Sequence, residues 1–127
     1  MASKGNKLKS KNVFQSFKYA FSGLKYGFIN TKNLHIDLLF IIAVIICGFV
    51  FNICLVEWTI LILCISLVVS LELVNTAIEE VVNLASPDVH PLAKASKDVA
   101  AGAVLLSAIM TAIIGIIIFL PKFIDLF

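Results

Sequence analysis

Residues 70–83, SLELVNTAIEEVVN, close a long apolar segment over residues 58–85 and decide how this chain must fold. Polar residues recur in this stretch at helical spacing: Glu72, Asn75, Glu79 and Asn83. At 100° per residue they lie within about 80° of one another and form one polar stripe on a helix. Charged side chains inside a membrane-spanning helix are costly when they face lipid. The stripe therefore predicts a protein interior, a partner or a wet cleft.

The two carboxylates of the stripe differ in depth. Measured from Trp58, Glu72 lies roughly 21 Å along the helix axis and Glu79 roughly 31 Å. Because the hydrocarbon core is about 30 Å thick, Glu72 is predicted within the cytoplasmic leaflet and Glu79 near the headgroups. This difference suits a reaction between a membrane-embedded group and a water-soluble one.

The whole composition agrees with a membrane protein. Of 127 residues, 61% are hydrophobic and 14% charged, which excludes an ordinary soluble domain and a disordered chain. Three apolar segments, residues 36–54, 58–85 and 100–120, are long enough to span a membrane. We expect a single all-α domain in which a polar turn over residues 86–97 joins the last two spans and Pro121 ends the third.

The N-terminal part is basic. Residues 1–11 are predicted to form a flexible tail, and residues 12–30 an amphipathic helix on the membrane surface. Seven Lys precede the first span and none lies in residues 52–57, so the N-terminus is predicted to be cytoplasmic. The net charge of +2 does not indicate nucleic-acid binding, and the absence of Arg leaves Lys, metal and backbone for any phosphate contact.

A second polar cluster follows the turn and should return to the same membrane edge. Its members are Asp88, His90, Lys94, Lys97 and Asp98. Carboxylates and lysines at a wet boundary are typical of a metal-nucleotide site, since Mg²⁺ is held by one or two carboxylates and phosphate oxygens. The alternative is a polar seam between helices with capping charges, in which His90 is only a turn residue.

The motifs E-x-x-N-[ST]-A-x-E over residues 72–79 and A-K-x-x-K-D over residues 93–98 resemble those of the prokaryotic integral-membrane diacylglycerol kinase family. The similarity runs from about residue 14 to 122. The run HPL at residues 90–92 and the ending FLPK at residues 119–122 resemble the undecaprenol kinase-like branch of that family.

The resemblance implies an ATP- and Mg²⁺-dependent lipid kinase in a bacterial plasma membrane. It implies a homotrimer of three-span protomers with a surface helix and active sites shared between neighbours. By position, Glu72 would accept the proton of the lipid alcohol, Asn75 would orient substrate, and Glu79 would bind Mg²⁺ and nucleotide. Lys25 and Glu72 would border the lipid. Further nucleotide contacts are implied for Tyr19, Asp88, His90, Lys97 and Asp98.

The sequence departs from the family pattern at several positions. Thr31 stands where the family has a second metal-binding Glu, His35 replaces an Arg, and Asn83 replaces an Asp. Metal affinity should fall unless Asp37 or Glu80 compensates. Asp37 is about 240° around a helix from residue 31, which argues against direct replacement.

Undecaprenol is the leading substrate hypothesis, with undecaprenyl phosphate for cell-wall synthesis as the product. The alternatives are the same reaction on diacylglycerol, a small transporter, and a catalytically weakened relative of the kinases. A transporter would place its charges at the midplane, whereas these lie toward one membrane edge.

Overall fold

The computed structural model describes residues 12–127, and all regular structure in that range is helical. The helices are α1 (Val13–Asn30), α2 (Leu34–Val50), α3 (Leu55–Ala85) and α4 (Pro91–Ile124). This confirms the all-α prediction. The predicted tail over residues 1–11 lies outside the described residues. The chain divides into two compact units, of which the first ends at Asn30 and the second begins at Thr31. Helix α1 belongs to the first unit and is described by itself.

Helices α3 and α4 are the clear membrane-spanning elements. They contain 31 and 34 residues, about 46 and 51 Å at 1.5 Å per residue, against a core of about 30 Å. Each therefore extends beyond the hydrocarbon region. With 17 residues, α2 is at the short limit for a span, and a third span is counted only when α1 and α2 are taken together.

Helix α2 begins two residues before the first predicted span, residues 36–54, and it ends at Val50, four residues before that span does. Asn52 adopts a left-handed conformation with φ of 52°. The Ile53 N–H donates to the Gly48 carbonyl at 3.2 Å, and the Asn52 N–H donates to the Phe49 carbonyl at 3.2 Å. This pair of bonds is a Schellman cap, which ends the helix and turns Ile53 into the core.

Helix α3 begins three residues before the predicted start at residue 58. Cys54 is the N-cap in an extended conformation, and its N–H donates to Glu57 Oε1 at 3.1 Å. The other carboxylate oxygen of Glu57 lies 2.8 Å from Lys122 Nζ on α4. The start of α3 is thereby joined to the end of α4.

The helix that contains the third predicted span, residues 100–120, extends beyond that span at both ends. Helix α4 begins at Pro91, so the turn covers only residues 86–90. Proline is tolerated in the first helical turn because its missing N–H would have no partner there. Pro121 does not end the helix: one lost hydrogen bond near the end is tolerated, and the Pro121 carbonyl still accepts from the Asp125 N–H at 3.1 Å.

A small core lies where the chain turns from α2 into α3. Ile53, Leu61 and Ile118 are buried there. The partly buried residues packed against them are Val44, Phe51, Trp58, Ile114 and Phe119. Most other large apolar side chains of the described residues are exposed, so they must be covered by lipid or another chain.

Close packing at Gly48 predicts a stability effect. A Cβ at this position would lie 2.5 Å from the Trp58 Cη2 atom and 2.7 Å from Cζ2. Because the indole ring is rigid, Gly48→Ala should cost about 1–3 kcal/mol of unfolding free energy, measured by thermal unfolding in detergent. Gly115→Ala is the control, since nothing lies within 4 Å of its added Cβ. A Gly48→Ala variant as stable as wild type would contradict this packing.

Candidate functional site

The polar stripe of α3 opens into a cavity of about 320 Å³. The turn before α2 and the facing part of α4 complete its wall. Its lining residues are Lys32, Asn33, Glu72, Asn75, Thr76, Glu79, Ala101, Val104, Leu105 and Ala108. We call this the polar pocket. Three of the four predicted stripe residues therefore share one site, as the helical spacing predicted, whereas Asn83 does not line it.

Both carboxylate oxygens of Glu79 have partners. Asn75 Nδ2 donates to Glu79 Oε1 at 3.2 Å, and Lys32 Nζ lies 3.7 Å from Glu79 Oε2. The amide oxygen of Asn75, in contrast, is buried and has no partner in the described structure. A buried acceptor without a donor is costly. A ligand that brings a donor or a cation would satisfy it.

A pair of buried hydroxyl groups fixes the wall of the pocket. The Thr76 hydroxyl donates to the Glu72 carbonyl at 3.1 Å, so its single proton is used. Thr31 Oγ1 lies 2.9 Å from Thr76 Oγ1, within hydrogen-bonding distance. Thr31 thus ties the turn before α2 to α3.

Glu72 adjoins another carboxyl group. The Asp37 side chain lies near that of Glu72, and its Oδ2 atom is buried without a hydrogen-bond partner among the described residues. Asp37 therefore lies beside the residue predicted to accept a proton, and no hydrogen bond joins it to Glu79 among the described residues. The proposed compensation for Thr31 by Asp37 finds no support in this geometry.

Asp37 also lines a second cavity, an apolar groove of about 390 Å³ between α2, α3 and α4. The other lining residues are Ile36, Phe40, Ile41, Val44, Ile65, Val68, Ala108, Thr111, Ala112 and Gly115. Ala108 lines both cavities. The Asp37–Glu72 pair therefore lies where a hydrocarbon-lined space meets a polar one.

The second predicted cluster reaches the stripe through a single contact. Lys97 Nζ donates to Asn83 Oδ1 at 2.5 Å, which joins the end of α3 to the start of α4. Lys94 instead pairs with Asp98 at 2.5 Å on its own helix. No member of this cluster lines the polar pocket.

The turn residues and those of α1 have local partners. His90 Nδ1 accepts from the Leu92 N–H at 3.1 Å and caps α4, which is the turn role considered above. The Asp88 carbonyl accepts from Ser86 Oγ at 3.0 Å. On α1, the Tyr19 hydroxyl donates to Gln15 Oε1 at 3.4 Å, and Lys25 lines a shallow groove. Their roles in binding stay predictions.

The sequence analysis did not predict the neighbours of Lys32 and Asp37. It treats Lys32 as one of the cytoplasmic lysines, and it considers Asp37 as a replacement for the metal ligand missing at Thr31 but argues against that. Lys32 lies in the turn before α2, and Asp37 lies in the first turn of α2. Their neighbours on α3, Glu79 and Glu72, are more than thirty residues away in sequence. A signal for Asp37 was present, since it is the sole charged residue in the first apolar segment.

The residues present fit a Mg²⁺ ion that arrives with a nucleotide. Mg²⁺ prefers oxygen ligands and is usually held by one or two carboxylates together with substrate phosphates. Glu79 and the unpartnered Asn75 oxygen offer such a donor set on one helix face. Within residues 12–127 no group of three His, Cys, Asp or Glu side chains could hold a metal ion by itself.

Fold and site together define the class: an integral membrane protein whose apolar helices place carboxylates and a lysine around a polar pocket. Within that class, a sequence model described as prokaryotic diacylglycerol kinase matches residues 18–119. The chain therefore belongs to the prokaryotic diacylglycerol kinase family.

Several proteins of known name are similar to it. The undecaprenol kinase of Bacillus subtilis (strain 168) is 43% identical over 96% of this chain and 99% of its own length. The diacylglycerol kinase of Synechocystis sp. is 40% identical over 91% of this chain and 66% of its own. That of Helicobacter pylori (strain 26695) is 33% identical over 82% of this chain and 81% of its own.

The hydroxyl pair predicts a coupling between Thr31 and Thr76. Thr31→Val and Thr76→Val should each lower the unfolding free energy. The double variant should lose about 1 kcal/mol less than the sum, because the shared bond is lost only once. Thr59→Val is the control for an exposed hydroxyl that donates only to the Val56 carbonyl of its own helix. Strictly additive losses in a detergent unfolding assay would show that the two hydroxyls do not interact.

Proposed function

We propose that this chain is an ATP-dependent lipid kinase that phosphorylates undecaprenol to undecaprenyl phosphate. The observation that carries the proposal is the convergence of Glu72, Asn75 and Glu79 on one pocket of a membrane-spanning helix. Membership of the kinase family and the similarity to an undecaprenol kinase support it. Family membership also favours a kinase over a transporter.

The reaction needs a base for the lipid alcohol, and Glu72 is the proposed proton acceptor. The alcohol oxygen forms a bond to the γ-phosphorus while the bond to the β-phosphate oxygen breaks and ADP leaves. The alcohol proton passes to the Glu72 carboxylate. Because the protein mainly positions groups and offsets charge in such transfers, a carboxylate beside the hydroxyl is the required feature.

The nucleotide contacts are proposed at the wet end of the helices. Glu79 and Asn75 would hold Mg²⁺, which when bound offsets phosphate charge. Lys97 and Asp98, with Asp88, His90 and Tyr19, are proposed to contact ATP. Asp88, His90 and Asp98 are exposed, as is Tyr19 on α1, so a soluble nucleotide can reach them.

The finer features of the assembly are proposals as well. We propose a homotrimer with shared active sites, a cytoplasmic N-terminus and an amphipathic α1 on the surface of the bacterial plasma membrane. Lys25 of α1 would border the lipid substrate. The many exposed apolar side chains support burial against lipid or second copies, and the Lys distribution supports the orientation.

Diacylglycerol is the alternative substrate. Two of the similar proteins above carry the name diacylglycerol kinase, although at lower identity than the undecaprenol kinase. Both lipids present a hydroxyl on a hydrocarbon body, and a groove of ordinary apolar residues accepts either.

Glu72→Gln should lower turnover by about 10²-fold or more, since an amide does not accept the proton. Transfer of labelled γ-phosphate to undecaprenol in mixed micelles measures this, and size-exclusion chromatography confirms assembly. Glu80→Gln is the matched control, because Glu80 is exposed on the same helix and lies outside the pocket. Near-normal turnover of Glu72→Gln would remove Glu72 from the proposed role.

Parallel assays with undecaprenol and dioleoylglycerol should show a higher kcat/KM for undecaprenol. A Mg²⁺ titration of the same reaction should reveal a high metal requirement, because Thr31 contributes no carboxylate. Preference for dioleoylglycerol would favour the alternative substrate. Transfer to neither lipid by folded protein would favour the weakened relative.

A further inference from the structure

Lys32 lies at the polar pocket for a structural reason. It follows Thr31, whose hydroxyl bond to Thr76 fixes this part of the chain against α3. From there the Lys32 ammonium reaches 3.7 Å from Glu79 Oε2. Thr31 is buried, whereas the Lys32 side chain is 81% exposed. The backbone is therefore anchored while the side chain remains free to change partners.

The charge around the pocket explains what such a lysine can do. Lys32 is the basic residue among the lining residues, against the carboxylates of Glu72 and Glu79. A phosphate entering a space with two carboxylates is repelled unless a cation offsets them. Because the chain has no Arg, a Lys ammonium must supply the fixed positive charge.

The Lys32–Glu79 contact is loose. At 3.7 Å it is an ion pair beyond hydrogen-bonding distance, and its ammonium partner is largely in water. Exposed pairs of this kind contribute little to stability. Glu79 is held more firmly by Asn75 on its other oxygen, at 3.2 Å. Loss of Lys32 from Glu79 would thus leave the carboxylate in place.

We propose that Lys32 changes partner during the reaction cycle: it neutralises Glu79 while the pocket is empty and binds the terminal phosphate when ATP is present. This rests on the lipid kinase function proposed above. Lys32 and a divalent cation compete for the same oxygen of Glu79, whereas Lys32 and phosphate attract each other. Removal of the Lys32 charge must therefore have opposite effects on the two ligands.

Lys32→Met tests this prediction because it removes the charge and keeps most of the stem. Two equilibrium measurements on the full-length protein in detergent are needed. The first is ATP binding in EDTA by titration calorimetry, and the second is Mn²⁺ binding without nucleotide by electron paramagnetic resonance. We expect metal-free ATP binding to weaken about fivefold to tenfold. Mn²⁺ binding should tighten about twofold to fivefold.

Matched variants separate charge from structure. Lys32→Arg should retain ATP binding because it keeps the charge. Lys18→Met on α1 removes one lysine outside the polar pocket and should change neither affinity. If both affinities fall in Lys32→Met, the residue is only structural and the proposal is overturned. Unchanged ATP binding, or unchanged Mn²⁺ binding, overturns it equally.

Phosphate transfer by the wild type, assayed separately, distinguishes the two proposals. If the wild type phosphorylates lipid and Lys32→Met lacks the opposite shifts, only the role of Lys32 fails. If the opposite shifts occur and the wild type transfers no phosphate, Lys32 is a phosphate-binding residue and the lipid kinase proposal fails.

Discussion

The need to accommodate carboxylates in a membrane-spanning helix governs the rest of this structure. Glu72 and Glu79 belong to α3, which is apolar over most of its length, and neither can face lipid without a large cost. Each has polar or charged neighbours, from α3 itself or from the segment around the start of α2. Asp37 adjoins Glu72, while Asn75 and Lys32 contact Glu79. The turn before α2 is fixed to α3 by two hydroxyl groups, and this places Lys32. The polar pocket is the space that these contacts leave open.

The polar pocket lies between an apolar space and a set of exposed charged residues. On one side is the apolar groove, which reaches Asp37, and on the other are the exposed charges at the end of α3 and the start of α4. A lipid alcohol and a water-soluble phosphate donor approach from different phases, and Glu72 lies between them. The proposed chemistry needs a base, a counter-charge and correct placement, all of which a few side chains at a membrane boundary can supply.

The sequence allowed the prediction of α3 and of its polar face, because helical periodicity is a local property. Glu72, Asn75 and Glu79 could be placed together from their spacing, and the pocket confirms that grouping. Features set by distant contacts or by caps were not predictable in this way. Asn83 accepts a hydrogen bond from Lys97 and does not line the pocket. Helix α4 starts nine residues before the predicted span, because His90 caps it and Pro91 lies in its first turn. Pro121 lies inside the helix. The partners of Asp37 and Lys32 depend on how α2 meets α3, which no local pattern records.

We propose that the polar pocket of α3 receives the terminal phosphate of ATP. An experimental structure of the full chain with Mg²⁺ and a nonhydrolysable ATP analogue tests this most directly. We expect the terminal phosphate in the pocket formed by Asn75, Glu79 and Lys32, with the Lys32 ammonium on a phosphate oxygen and no longer beside Glu79. A terminal phosphate bound outside this pocket, with Lys32 still paired to Glu79, would contradict the account.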